Sequence, residues 1–375
     1  MRALVVGGGI GGLGAALGLR RVGFEVVVLE QTPRLEAVGA GLGLAANALL
    51  ALDRLGVGDA IRARGEQADR LLARKRGGEI LIDLPLEGRE MLGIHRADLQ
   101  EVLARALGEA LRLGTTCTGV RDGGSYVTAV LDEGEEVEGD VLVGADGIRS
   151  QVRAGMLGDG PPSYAGYTGW RAVTDFQHET LRGVMTETWG RGVRFGLVPI
   201  GAGRLYWFVS ESAREPDAPL LRGDKAHLAR LVGGWHEPIE AAVASTPGEA
   251  ISGTGIYWRK PAPTWGRGRV TLLGDAAHPM TPDLSQGAAQ ALEDAVLLAA
   301  SLRDAGEPVE GLRRYEAARR RRAGSIVRRS RQAGRLAQSS TAIAAAVRDR
   351  LFAALPASVH RIQQARILTT ELPTL

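Results

Sequence analysis

Residues 2–30 read RALVVGGGIGGLGAALGLRRVGFEVVVLE. The apolar run 2–6 predicts a strand, and the Ala- and Leu-rich run 13–22 predicts a helix. A second apolar run, 26–29, predicts another strand and ends on Glu30. The six residues between the first strand and the helix are Gly7-Gly8-Gly9-Ile10-Gly11-Gly12. Strand, glycine turn, helix, strand and closing acid form the unit that holds a dinucleotide. Gly7 lets the chain turn off the strand. Gly9 leaves the backbone open to a pyrophosphate, and Gly12 allows close helix–strand packing. The helix N-terminus supplies free N–H groups and partial positive charge to phosphates. Glu30 is spaced to accept hydrogen bonds from a ribose hydroxyl. That acid opposes a 2′-phosphate, so this stretch expects NAD or FAD and does not choose between them. A signal peptide is a poor alternative, because Arg2 alone makes a weak basic region and glycines interrupt the apolar run.

The chain has 375 residues, for which two domains are the natural expectation. No apolar run reaches the roughly 18 residues of a membrane span. The single cysteine, Cys117, excludes an internal disulfide, reads as a buried thiol and suits a reducing cytoplasm. The histidines are scattered without metal-ligand spacing, so no metal is expected. The formal net charge of +3 hides an asymmetry, since arginines crowd the C-terminal part.

Residues 38–44 form a second glycine-rich stretch, suited to an extended segment approached by something flat, with a helix following over 47–55. Residues 70–74 and 79–84 predict a hairpin about Gly77-Gly78, a first excursion into a second sheet. An amphipathic helix is predicted from His95 to about Leu111. Arg96 stands at its start, where a cation is disfavoured unless it reaches an anion. Strands are predicted over 113–118 and 126–131. Residues 140–147 predict a buried strand ending in Asp146-Gly147, and Asp146 and Arg149 stand at a strand end of the kind that binds ligands in open α/β sheets. Most of the chain's scarce aromatics fall between Tyr164 and Trp258, in short strands that predict an antiparallel sheet. Such faces are core, or the wall of a pocket for a planar substrate. A strand at 269–273 precedes Gly274-Asp275. A helix is predicted over 288–302, with Ser285 as its cap and free N–H groups near Gln286 and Gly287. From Gly311 the chain reads as helical. Its arginines (Arg313, Arg314, Arg319, Arg320, Arg321, Arg322, Arg328, Arg329, Arg331, Arg335) admit a nucleic-acid arm or a membrane-surface helix, but a solvated face or one packed on a partner subunit is the expectation. No nucleic-acid-binding motif accompanies them.

Gly7–Gly12 with Glu30, then Asp146-Gly147, then Gly274-Asp275 together resemble the class A flavoprotein monooxygenases, over roughly residues 1–305. The resemblance implies an α/β fold in which a Rossmann-like FAD-binding domain (1–68, 96–163 and 261–305) interleaves with a mostly antiparallel substrate sheet (69–95 and 164–260). C-terminal helices (306–375) complete it. It implies FAD as cofactor and NADH or NADPH as transient co-substrate. By the same resemblance Arg96 contacts the FAD phosphates, and Asp146 and Gly147 belong to a motif linked to FAD and pyridine nucleotide. Asp275 holds the ribityl or ribose region, Pro282 lies beside the flavin ring, and Gln286 and Gly287 offer N–H groups to its pyrimidine edge. Ser285 and Ala289 depart from the family's Gly and Asn. The implied reaction uses O2 and a flavin C4a-hydroperoxide to hydroxylate a small planar aromatic or heteroaromatic substrate. The substrate strands look most like bacterial FAD-dependent urate hydroxylases. Arg194 and Tyr206 match the arginine and tyrosine that position substrate there, whereas Gly169 replaces an expected asparagine. Other readings are a reductase or dehydrogenase of the same fold, an NAD dehydrogenase using only the first motif, and a non-catalytic flavin binder. A cytoplasmic monomer or homodimer without a membrane span is expected.

Overall fold

The computed structural model describes residues 1–35, 40–216 and 221–375. Val38 and Gly39, part of the second glycine-rich stretch, lie outside them. A six-stranded sheet is built on parallel Arg2–Val6, with Glu25–Leu29 on one side and Val141–Gly144 on the other. Val270–Leu272 continues it in parallel beyond Val141–Gly144. These strands are buried on both faces, which is why they read as unbroken Val/Leu runs rather than alternating ones. The Ile10–Arg21 helix lies against this sheet and against a second helix, Gly287–Arg303. Its glycines make that approach possible: a β-carbon at Gly18 meets the Ala295 carbonyl oxygen at 3.0 Å.

The 70–85 hairpin does enter a second sheet, of eight strands. Arg70–Lys75 pairs in parallel with Val184–Trp189, and the other pairings in this sheet are antiparallel. Strict alternation sorts the aromatics of the central strands. Trp170, Ala172, Phe195, Leu197, Trp207 and Val209 face a core closed by helices Lys225–Val232 and Ile239–Ser245. Arg171, Val173, Tyr206 and Phe208 face the opposite side and stay half-buried. The core reading therefore holds for one face, and the other is left half-buried.

Several boundaries move, with local causes. The helix expected to reach Leu111 ends at Leu107, because Gly108 turns at φ 60°. The strand expected from Leu113 starts at Cys117, because Gly114 lies at φ 65° and donates to the Thr32 carbonyl. Cys117 is a buried free thiol whose pKa is pushed up by burial. The C-terminal part is helical over Pro308–Ala337, Ala342–Ala354 and Ala357–Leu368. Its arginines are not simply a solvated face: Arg319 and Arg348 are buried. No helix among the described residues is long and apolar enough to cross a membrane.

Candidate active site

Each glycine of the first turn meets a different constraint. Gly7 lies at φ 108°, and a β-carbon there falls 2.5 Å from the Ala145 carbonyl oxygen. At Gly12 it falls 1.9 Å from the Gly7 carbonyl oxygen. At Gly9, which precedes the helix, it meets nothing within 4 Å. The first two glycines are required by the fold, and the third leaves free space at the helix N-terminus. Glu30 stands beside that turn. Its carboxylate accepts from the Gly8 amide at 2.6 Å and from the Thr32 amide and hydroxyl at 2.9 Å. Gln100, which the motifs do not reveal, donates to the Gly8 carbonyl and fixes the turn from the 96–107 helix.

Arg96 opens that helix. Its amide donates to the Ala40 carbonyl at 2.9 Å, and among the described residues its guanidinium makes no hydrogen bond or ion pair. Burial disfavours its charge, Arg171 adds repulsion, and Asp275 offsets part of both. Burial likewise raises the Asp275 pKa, with His278 and Arg96 pulling it down. Both residues nevertheless reach solvent. A group that is hemmed in by protein yet wetted lines a cleft. Gly287 sits on the same cleft: a β-carbon there lies 4.0 Å from the Asp275 carboxylate. The 287–303 helix has no side-chain cap, so its first N–H groups have no side-chain acceptor. Ser285 does not cap it. The N-cap is Gln286, and Ser285 lies one residue earlier in the left-handed region, at φ 51°. Glycine is the residue suited to that backbone, so Ser285→Gly is expected to stabilise the fold by about 0.5–1 kcal/mol, read in urea melts. Ala289 packs into the core.

Asp146 is used locally. It accepts from the Ser150 hydroxyl at 2.5 Å and from the amides of Gln151 and Val152, holding the start of a short helix. Gly147 beside it, at φ 79°, has open space at its α-carbon. Arg149 stacks over Tyr257.

The open face of the eight-stranded sheet forms the other wall. Tyr206 packs its ring on Gly41, where a β-carbon meets the Tyr206 β-carbon at 2.4 Å. The glycine-rich strand is thus approached by a flat ring, as expected. The Tyr206 hydroxyl makes no hydrogen bond among the described residues, and burial pushes its pKa up to about 12. Arg194 lies on the same face four residues along the neighbouring strand from Val198, the residue opposite Tyr206. That is roughly 13 Å. Between them Phe208 lies over Gly196. Arg194 is buried and donates to Asp283 at 2.5 Å and to Glu187 at 3.0 Å, leaving only Nε without a partner. Tyr167 donates to the other Asp283 oxygen at 2.9 Å. Asp283 follows Pro282, which is exposed, so this cluster ties the sheet to the turn that starts the 287–303 helix.

Behind the cleft lies a buried polar network that no motif announced. Asn47 donates to Gln286 at 3.0 Å and to Glu293 at 2.7 Å. Glu293 and Asp294 flank Arg319 at 2.6 and 2.5 Å, and Arg322 adds a second pair to Glu293. Asp294 also accepts from the Gly274 amide and pairs with His278. The one sequence signal was an adjacent Glu293-Asp294 in an otherwise apolar helix. Two negative charges in a core require buried cations.

An unpaired guanidinium, a carboxylate and an uncapped helix N-terminus therefore lie together, on a helix tied to the first glycine turn through Gln100 and beside the strand on which Tyr206 packs. A family profile described as an FAD binding domain matches residues 1–330. The chain belongs to the class A flavoprotein monooxygenases. FAD is the cofactor of this monooxygenase. It is 42% identical to the aurachin C monooxygenase/isomerase of Stigmatella aurantiaca, over 94% of this chain and 93% of that protein. It is 33% identical to an FAD-dependent urate hydroxylase of Klebsiella pneumoniae, over 88% and 89%. The crystal structure of Klebsiella pneumoniae HpxO with FAD and uric acid superposes with a TM-score of 0.91 at 29% identity, covering 98% of this monooxygenase and 96% of HpxO.

Proposed function

We propose that this monooxygenase uses NADH or NADPH and O2 to hydroxylate a small planar aromatic or heteroaromatic compound. One observation carries the reading: Arg96 and Asp275, hemmed in yet wetted, lie beside the uncapped Gly287 helix and next to the Gly41 strand on which Tyr206 packs. In this reading Gly7, Gly9 and Gly12 admit the pyrophosphate to the first helix end, and Glu30 meets the adenosine ribose. Arg96 supplies the cation for the phosphates, Asp275 accepts from ribityl hydroxyls, and the N–H groups after Gln286 and at Gly287 face the ring beside Pro282. Asp146 and Gly147 shape the turn on the phosphate side. The division into an FAD-binding domain (1–68, 96–163, 261–305), a substrate sheet (69–95, 164–260) and C-terminal helices (306–375) belongs to the same proposal. All these groups come from one chain, so a monomer suffices, and the free buried thiol suits a cytoplasmic setting.

When bound, FAD accepts hydride from the nicotinamide and activates O2, so that one oxygen atom enters the substrate and the other leaves as water. The residues orient, exclude water and set charge. The positive end of the 287–303 helix favours negative charge on the reduced ring. Tyr206 offers a protonated phenol at neutral pH, and burial, by raising its pKa, extends that state to higher pH. Arg194 acts through Asp283, keeping the Pro282 turn in register with the sheet.

The test is NAD(P)H oxidation by purified protein across phenols, aromatic acids, purines and quinolones, with product masses. Arg194→Ala is expected to leave both Asp283 and Glu187 without their cation and to lower substrate-stimulated oxidation about 10²-fold. Tyr206→Phe is expected to raise KM more than it lowers kcat. Unchanged kinetics in both variants would remove these residues from the substrate site.

A further inference from the structure

The Ala342–Ala354 helix carries an unusual outward face. Ile343, Val347 and Leu351 recur every four residues and are 80%, 58% and 56% exposed. Between them the exposed positions are Ala342, Ala344, Ala346, Ala353 and Ala354, with a single charge, Arg350. Leu336, at the end of the preceding helix, and Ile362, in the following one, are exposed as well, at 41% and 55%. Isolated surface aliphatics are ordinary, but a repeating stripe on one helix is a contact surface.

Charge decides what it contacts. Residues 306–375 hold fourteen arginines against five acids and no lysine. Four of these five exposed aliphatic side chains, all but Ile343, have an exposed arginine within four residues: Arg335 beside Leu336, Arg350 beside Val347 and Leu351, Arg366 beyond Ile362. None of these three arginines makes an ion pair among the described residues. The nearby acids are already engaged, Asp349 by Arg348 and Glu87 by Arg361. A second copy pairing through the same face sets arginine against arginine. A helix with an apolar stripe and one unpaired arginine, followed and preceded by helices that carry two more, instead matches an anionic bilayer surface, apolar side chains in the acyl boundary and guanidinium groups at the phosphates. The helix also has firm support for such a load. Arg348 donates to the carbonyls of Ala337 and Gly190, and Trp189 meets Phe352 edge-on.

We infer that the Ala342–Ala354 helix docks the enzyme peripherally on an anionic phospholipid surface, without spanning it. The function of the active site is not assumed, since docking is read by binding alone. FAD-loaded full-length protein is floated with vesicles of pure phosphatidylcholine or of phosphatidylcholine with one quarter phosphatidylglycerol. Three arginines at about a factor of five each predict roughly a hundredfold tighter binding to the anionic vesicles, weakened by salt. The Ile343→Glu/Val347→Glu/Leu351→Glu variant abolishes binding while retaining bound FAD. Arg335→Gln/Arg350→Gln/Arg366→Gln removes the preference for anionic lipid and serves if the first variant fails to fold. Failure of the native protein to float, equal binding to both vesicles, or flotation that survives the substitutions overturns the inference. So does a solution dimer, by sedimentation, that the glutamate variant splits, since the occupant is then a second copy.

Discussion

Arg319→Met is expected to cost about 3–5 kcal/mol of stability, the largest loss from any single change away from the cleft. Arg319 is fully buried, with Asp294 on its Nε and Glu293 on one terminal nitrogen. Its other terminal nitrogen donates to the Gln290 carbonyl and side chain. Methionine fills much of the volume but leaves two carboxylates with His278, Arg322 and neutral donors. Restoring the core by also making Glu293 and Asp294 neutral is expected to recover most of the loss, which separates charge from packing. The pH dependence has a definite sign. The pKa values of Glu293 and Asp294 are held below the usual carboxylate range by Arg319, Arg322, His278 and Asn47, against the opposing effect of burial. Their contribution is present above the ordinary pKa and is lost as pH falls through the depressed one. Denaturant midpoints are therefore expected to drop below about pH 4 in the native protein. The Arg319→Met variant is expected to lose less over the same range, because its carboxylates are no longer held low.

The second large effect separates two glycines three residues apart. Gly12→Ala places a methyl 1.9 Å from the Gly7 carbonyl oxygen, on backbone that cannot yield. The first strand–helix unit is expected to lose several kcal/mol, with failure to fold as the plain outcome in expression trials. Gly9→Val adds a side chain where nothing lies within 4 Å. The apoprotein is expected to melt within about 0.5 kcal/mol of the native protein. Its FAD affinity is expected to fall at least a hundredfold by fluorescence titration, because the side chain occupies the space proposed for the pyrophosphate. A Gly9→Val protein that holds FAD normally would place the cofactor elsewhere.

These cases also show what could be read in advance. The first thirty residues were legible because their constraints are local: a turn at Gly7, a close contact at Gly12, an open position at Gly9. The antiparallel sheet within 164–258 was legible from its short aromatic-rich strands, and the faces of its aromatics were separable only when the cross-strand register fixed which side Tyr206 and Trp207 take. The network was hidden. Asn47 meets Gln286 across 239 residues, and the partners of Glu293 and Asp294 lie in a helix whose arginines read as solvent-facing. Arg194 showed the same limit from the other side. Its strand position was readable, but its commitment to Asp283 and Glu187 depends on two segments brought together only by the fold.

The central claim is oxygen insertion, and oxygen consumption with ¹⁸O-labelled O2 tests it most directly. FAD-loaded protein is given NADH or NADPH, or is photoreduced in their absence, and exposed to the label with each compound of the panel. The predicted result is a compound that accelerates consumption and emerges carrying one ¹⁸O atom. Reduced holoprotein that consumes no O2, with or without any compound, would contradict the monooxygenase account and leave a reductase or a flavin-binding protein in its place.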